Sequence, residues 1–214
     1  MSQHHRPSDQ RAALCDALAA VEPTAPTLCE GWTAHHLAAH VWLRENDPLA
    51  AAGIVAKPLA LHTAERIEEV RSGQPYTELV DAIRRGPARL SPFRLPGVEA
   101  AANTFEFFVH CEDVRRGAGD HTPRPRDAAL ENLAWRRAGT LARLSLRRSP
   151  VAVWLERDVP RGEPVRIGHG PDIVTLSGPP SELVLYLFGR RDAARVEVFG
   201  EPAAIAAMIR AADL

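Results

Sequence analysis

The chain is nearly without lysine. Lys57 stands alone among 26 basic residues, and the rest are arginine. With so much alanine this reflects a composition bias and carries no function. Cysteine is scarce too. Cys15, Cys29 and Cys111 are odd in number and include no CxxC pair, so a disulfide framework is not expected and a reducing compartment fits best. Charge of either sign is not in excess. A net charge of −1 gives no general attraction to nucleic acid or to an anionic membrane. No apolar run approaches the ~18 residues of a membrane span, and the opening MSQHHRPSDQ has no apolar signal core. The expectation is therefore a cytoplasmic protein without membrane or nucleic-acid partners. A Gly-rich phosphate loop, an HExxH helix and paired ExxH motifs are also missing. That counts against nucleotide chemistry, zincin proteolysis and ferritin-like iron chemistry.

What is present is an ordinary globular composition, 45% hydrophobic and 25% charged over 214 residues, enough for one large domain or two small ones. The first half has helical periodicity. Helices are expected over about 9–21 with Ser8 as N-cap, 34–46 with Thr33 as N-cap, 59–71, 76–85, 98–116 and 127–148. Loops are expected over 48–58 and 86–97. Leu130, Leu133, Leu141 and Leu144 form the apolar side of the last helix, and Gly117 suits the C′ position of the one before it. At Pro150 the period changes from near 3.6 to near 2. Strands follow at 151–156, 165–167, 173–176 and 195–199, with helices at 181–188, capped by Ser181, and 202–212. The expected fold class is α+β, with a helical bundle over 1–149 and a small α+β domain over 150–214.

The chemistry centres on NTFEFFVHCEDVRRG, residues 103–117. At about 100° per residue, Asn103, Glu106, His110, Asp113 and Gly117 fall within roughly 60° of one direction. Phe105 and Val109 flank this stripe on one side and Phe107 on the other. Glu112, Arg115 and Phe108 fall near the back. If the apolar flanks face a core, Glu106 does too, and a carboxylate buried without a partner costs several kcal/mol. Two solutions exist at E-x3-H spacing. Glu106 and His110 bond each other, or both bind one divalent cation.

A second helix favours the cation. Leu37, His40 and Leu43 are three apart, which puts His40 on an apolar face. His40, Glu106 and His110 then make a two-His-one-Glu set. Three protein donors leave one coordination position open, the pattern of catalytic zinc; Fe(II), Ni²⁺ or Mn²⁺ suit the same donors. Asn103 and Asp113 are candidates for holding those donors in orientation, or for a packing network between helices. Trp32, Trp42 and Phe107 are pocket walls or core. Arg44, one turn past His40, either receives a substrate carboxylate as a catalytic residue or makes a surface salt bridge. The cysteines have no basic neighbour that signals activation and read as packing residues. The arginine pairs 136/137 and 147/148 read as solvated helix face.

The run LCEGWTAHHLAAHVWLRE (28–45) with NTFEFFVHCEDVRR (103–116) resembles the mycothiol-dependent maleylpyruvate isomerase-like family, a branch of the DinB-like metal-binding four-helix bundles. The tail LVLYLFGRRDAARVEVFGEPAAIAAM (183–208) is similar to the small C-terminal domain often found there, related to sterol-carrier-type folds. The likeness is closer to an uncharacterised metal-binding branch than to the isomerase itself. It implies an up-and-down bundle, Zn²⁺ held by His40, Glu106 and His110, and mycothiol as cosubstrate. His36, which makes H-x3-H with His40, is a reserve ligand. The implied partners are a small-molecule thiol and an electrophilic substrate, and the implied reaction is S-transfer or isomerisation by reversible thiol addition, in a monomer or homodimer. The competing expectations are a non-catalytic metal- or ligand-binding protein whose C-terminal domain takes an apolar molecule or a partner, and a structural bundle without metal.

Overall fold

The computed structural model describes residues 7–47, 60–87, 98–158 and 162–212. Among them are eight helices and a small four-stranded mixed sheet, an α+β fold. The expected loops at 48–58 and 86–97 fall mostly outside the described residues. No described helix is long and apolar enough to cross a membrane.

The chain divides between Thr122 and Pro123 into two compact units. The first holds α1 (Pro7–Ala19), α2 (Ala34–Asn46), α3 (Ala60–Gly73), α4 (Tyr76–Arg85) and α5 (Val98–Gly117). Ser8, the expected cap of α1, falls inside that helix. α1 packs on α4 and α5, and α2 on α3 and α4. Their shared core is built from Leu14 and Leu18, Leu37 and Leu43, Leu79 and Ile83, and Phe107 and Val114. α5 is buried on more sides than an amphipathic stripe requires. Phe108 and Glu112, expected near its back, are buried as well, and Glu112 is satisfied there by Arg116 at 2.6 Å and Arg115 at 3.2 Å.

The second unit holds α6 (Ala128–Ser145), β1 (Ala152–Arg157), β2 (Val165–Ile167), β3 (Ile173–Gly178), α7 (Pro180–Leu187), β4 (Glu197–Phe199) and α8 (Pro202–Ala212). The strand order is β2-β1-β3-β4; β1 and β3 run parallel, and both edge strands are antiparallel to their neighbours. Period-2 alternation puts Val153, Leu155, Val174 and Leu176 on one face, where α6, α7 and α8 cover them.

The position of α6 differs from the expected boundary at 149. Its buried face is Leu130, Ala134, Ala138 and Ala142, at steps of four, whereas Leu144 is 64% exposed. Alanines at that spacing give a flat surface that lies close against strands, so Ala138 and Ala142 join the sheet's core. Leucine spacing alone does not reveal such a face. Ser181 is not the cap of α7 either. It lies inside the helix, and its N–H and hydroxyl donate to the Glu131 carboxylate at 3.0 and 2.6 Å. A glutamate from α6 thus satisfies that helix start.

Candidate metal centre

Two helices and one loop build the site. The loop, residues 20–33, is fastened to the start of α2 and to the end of α5. The Ala34 N–H donates to Ala25 O at 2.9 Å and the His35 N–H to Pro23 O at 3.0 Å. The Thr27 hydroxyl donates to Trp32 O at 2.9 Å. The Leu28 N–H donates to Asp113 O at 3.0 Å. The loop backbone lies so close to α5 that a Cβ on Gly117 would stand 2.3 Å from Thr27 Cα and 2.8 Å from Leu28 N. Gly117 is therefore glycine because another backbone occupies the place of a side chain. It is not the expected C′ residue. Gly119 has that role at φ +93°, with its N–H on Arg116 O and the Asp120 N–H on Arg115 O, a Schellman ending.

The fastened loop sets Trp32 against the site, its ring 5.1 Å from that of His40. Leu37, His40 and Leu43 share the buried face of α2, as their spacing requires. From α5, Glu106 and His110 meet His40. Glu106 Oε1 lies 3.1 Å from His110 Nε2 and 3.5 Å from His40 Nε2. These three donor atoms all lie within 4.8 Å of one another. The two imidazoles stand edge to face at 5.2 Å.

Beyond His110 lies Asp113. Its Oδ2 is 2.9 Å from His110 Nδ1, and the Cys29 thiol donates to the same oxygen at 3.3 Å. Cys29, Asp113 and His110 form a second cluster of metal-ligating types, in which the Cys29 thiol and the His110 ring both meet the one oxygen Asp113 Oδ2. The arrangement is a carboxylate bracing a histidine, with a thiol bracing the carboxylate.

Asn103 and Arg44 serve the other side. Arg44 Nε stands 3.5 Å from Glu106 Oε1, and its Nη1 donates to Asn103 Oδ1. Asn103 Nδ2 donates to Glu45 Oε1 at 3.2 Å. Glu45 in turn takes both ends of the Arg11 guanidinium, each at 2.6 Å. Arg11 also donates to Ile83 O at 3.0 Å and lies over the Phe107 ring, 4.5 Å from its centroid. Arg44 thus makes a partly buried contact with Glu106 where a surface salt bridge was one expectation. Phe107, expected as pocket wall or core, is fully buried core.

Electrostatics follow from burial and contact. For His40, desolvation dominates and depresses its pKa against the opposing hydrogen bond from Glu106. For Glu106, burial alone would raise the pKa, but the bonds from His110 and His40 outweigh it and hold the carboxyl well below its ordinary value. For His110, burial works toward a lower pKa and is overcome by its contacts with Asp113, Cys29 and Glu106, leaving the ring well above the usual histidine value. Glu106 is thus ionised and His40 neutral, each in the state a ligand needs, while His110 must give up a proton.

The structure brings together His40, Glu106 and His110 and sets Asp113 and Asn103 beside them. His36 is not with them. Its Nδ1 accepts the Thr33 N–H at 3.2 Å, and its Nε2 is 3.5 Å from Glu68, so the reserve ligand is spent at the start of α2. Cys15 and Cys111 are buried packing residues, and burial pushes the Cys15 thiol up to about 11. Cys29, Arg11 and Glu45 take part without having been expected to. Arg11 was detectable, for it precedes Leu14 and Leu18 by three and seven and so shares their apolar face. Glu45 likewise follows Leu37 and Val41 by eight and four. Comparison of the chain with protein-family models, curated proteins and solved structures gives no match.

Proposed function

We propose that this chain is a metal-dependent enzyme that works with a small thiol, of the kind the mycothiol-dependent maleylpyruvate isomerase-like family represents, with Zn²⁺ as the first choice of ion. The observation that carries the reading is the convergence of His40 Nε2, Glu106 Oε1 and His110 Nε2 from two helices, with Asp113 on the far nitrogen of His110. The donor set fits the ion. Two donors about 2.0–2.1 Å from one tetrahedral zinc lie about 3.3–3.4 Å apart, and the separations here are 3.1 and 3.5 Å. A neutral imidazole and an ionised carboxylate are the protonation states required, and the Asp113–His110 contact is the usual brace of a metal-bound histidine.

A dication held there would supply Lewis acidity that favours the thiolate over the thiol form of a bound thiol. The chain's own residues do the rest. His40, Glu106 and His110 hold the ion. Asp113 accepts the His110 Nδ1–H and fixes which nitrogen faces it. Arg44, tied to Asn103, is a positioning residue that keeps Glu106 in place and adds positive charge. Trp32 excludes water beside His40.

A second reading has its own support. His110 lies between two carboxylates, at 3.1 and 2.9 Å, and Arg44 stands 3.5 Å from one of them, so an imidazolium and a guanidinium balance both carboxylates without an ion. Metal analysis of protein purified without added ions separates the two. The metalloenzyme reading expects about one Zn²⁺ per chain, lost in His40→Ala and Glu106→Ala. Metal-free protein that also fails to take up Zn²⁺ on titration leaves only the structural cluster. If metal is bound, conjugation or isomerisation assays with mycothiol against maleylpyruvate and electrophilic aryl compounds test catalysis, and inertness throughout reduces the reading to a metal-binding protein.

A further inference from the structure

His110 is met by a carboxylate at each ring nitrogen. Glu106 Oε1 lies 3.1 Å from Nε2, and Asp113 Oδ2 lies 2.9 Å from Nδ1. On the Asp113 side a third ligating group is present. Cys29 Sγ stands 3.3 Å from the same Oδ2, and the sulfur, the oxygen and a ring nitrogen of His110 all lie within 4.8 Å of one another. The loop backbone holds Cys29 in this place. Its N–H donates to Thr27 Oγ1 at 3.2 Å, its carbonyl accepts the Trp32 N–H at 2.9 Å, and the neighbouring Leu28 N–H is on Asp113 O at 3.0 Å. Asp113 is fully buried and His110 nearly so, while Cys29 is partly exposed. Three donors of three kinds thus converge from the loop and from α5.

Charge separates this trio from the first centre. A thiolate and a carboxylate together balance a dication, with the imidazole neutral. The first centre offers one carboxylate, Glu106, and the Arg44 guanidinium stands 3.5 Å from it. Donor softness separates them further. Nitrogen and oxygen donors suit borderline ions, whereas a thiolate selects soft ones. Size asks for an adjustment. Two light donors on a tetrahedral zinc-sized ion lie about 3.3–3.4 Å apart and a sulfur–oxygen pair about 3.6 Å. The trio must therefore open by about 0.3–0.5 Å for such an ion, and by more for a larger one. Rotation of the Cys29 and Asp113 side chains provides movement of that kind without displacing the loop.

We propose that Cys29 Sγ, Asp113 Oδ2 and His110 Nδ1 form a second metal position, selective for soft dications of the Cd²⁺ class, and that it alternates with the first centre on His110. A neutral imidazole has one nitrogen free to bind an ion. With the ion on Nδ1, the ring proton stands on Nε2 and is donated to Glu106. With the ion on Nε2, the proton stands on Nδ1 and is donated to Asp113. Each carboxylate is a ligand in one state and the brace of the metal-bound histidine in the other. One chain therefore holds an ion on one side of His110 at a time. Binding on the Cys29 side releases the thiol proton to solvent. The second position stands on its own donors and does not require the first to bind anything.

The test titrates Cd²⁺ into the full chain freed of metal and follows sulfur-to-cadmium charge transfer by ultraviolet absorbance. The band should saturate at about one Cd²⁺ per chain. It should persist in His40→Ala, which removes a donor of the first centre only, and vanish in Cys29→Ser, whose hydroxyl can still donate to Asp113. Cys29→Ser should weaken Cd²⁺ by more than the roughly 10–100-fold that loss of a bracing contact causes. In parent protein loaded with Zn²⁺, Cd²⁺ should release the zinc one for one, read with a chromophoric chelator. Parent that takes no Zn²⁺ but gives the band defeats the first reading and upholds this one. Four results would overturn the proposal: no band in the parent, a band kept in Cys29→Ser, a band lost in folded His40→Ala, or Zn²⁺ and Cd²⁺ held together by one chain.

Discussion

Gly117→Ala is the sharpest test of how the site is assembled. An exposed helical glycine exchanged for alanine normally stabilises a protein by up to ~1 kcal/mol. Here the new methyl would stand 2.3 Å from Thr27 Cα, 2.5 Å from Thr27 C and 2.8 Å from Leu28 N. All three are backbone atoms, so no side chain can turn aside. Ordinary contact needs about 3.5–4.0 Å, and the loop must retreat by about 1 Å. That breaks the Leu28 N–H bond to Asp113 O, which contributes about 1 kcal/mol, and adds about 1–3 kcal/mol of overpacking. After the propensity gain, the net loss is about 1–3 kcal/mol. With a urea m-value of ~2 kcal/mol/M, the midpoint falls by about 0.5–1.5 M. Urea unfolding followed by tryptophan fluorescence and by circular dichroism measures it. A variant as stable as the parent, or more so, would refute the close approach of loop and helix.

Three further outcomes are expected. Because His110 is held protonated and must be neutral to bind an ion, Zn²⁺ affinity should rise with pH, by up to about tenfold per pH unit until the raised His110 pKa is passed; competition with a chromophoric chelator reads this, and a flat profile would contradict it. In metal-free protein, the raised His110 pKa contributes stability below the unfolded histidine value of about 6.5 that is lost as pH rises through the folded value, and the depressed Glu106 pKa contributes stability above about 4.5 that is lost as pH falls. His40, kept neutral by burial, opposes the gain as pH falls below about 6.5, so His110→Gln should remove the alkaline loss, shrink the part of the acid loss that Glu106 contributes through its bond from His110, and leave the part from His40, in urea midpoints measured against pH. Arg11→Met strands the buried Glu45 carboxylate and should cost about 3–5 kcal/mol, much of it recovered in Arg11→Met/Glu45→Met; equal losses in the single and double variants would show that the pair is not coupled.

Much of this was legible in the sequence where local rules decide. α2 and α4 run over the expected residues because Thr33, Pro75 and Gly86 mark their ends, and period 2 located all four strands. His40, Glu106 and His110 were identifiable because polar residues in an apolar phase need a reason to be there. What was not legible depends on partners far along the chain. α6 belongs with the sheet because of its alanines, and a row of alanines does not announce which surface it fits. Cys29 reaches Asp113 only because the loop folds over the end of α5, a path set by Gly117. Arg44 showed its phase but not its partner, since Asn103 is 59 residues away.

The fastened loop also bears on traffic. Backbone and side-chain bonds hold residues 23–34 at both flanks and in the middle, so this segment is a wall and not a door. Anything that exchanges at His40 must enter by a route other than past Trp32. The Leu28 amide should then be among the slowly exchanging protons of the unit, opening with the helices and not ahead of them.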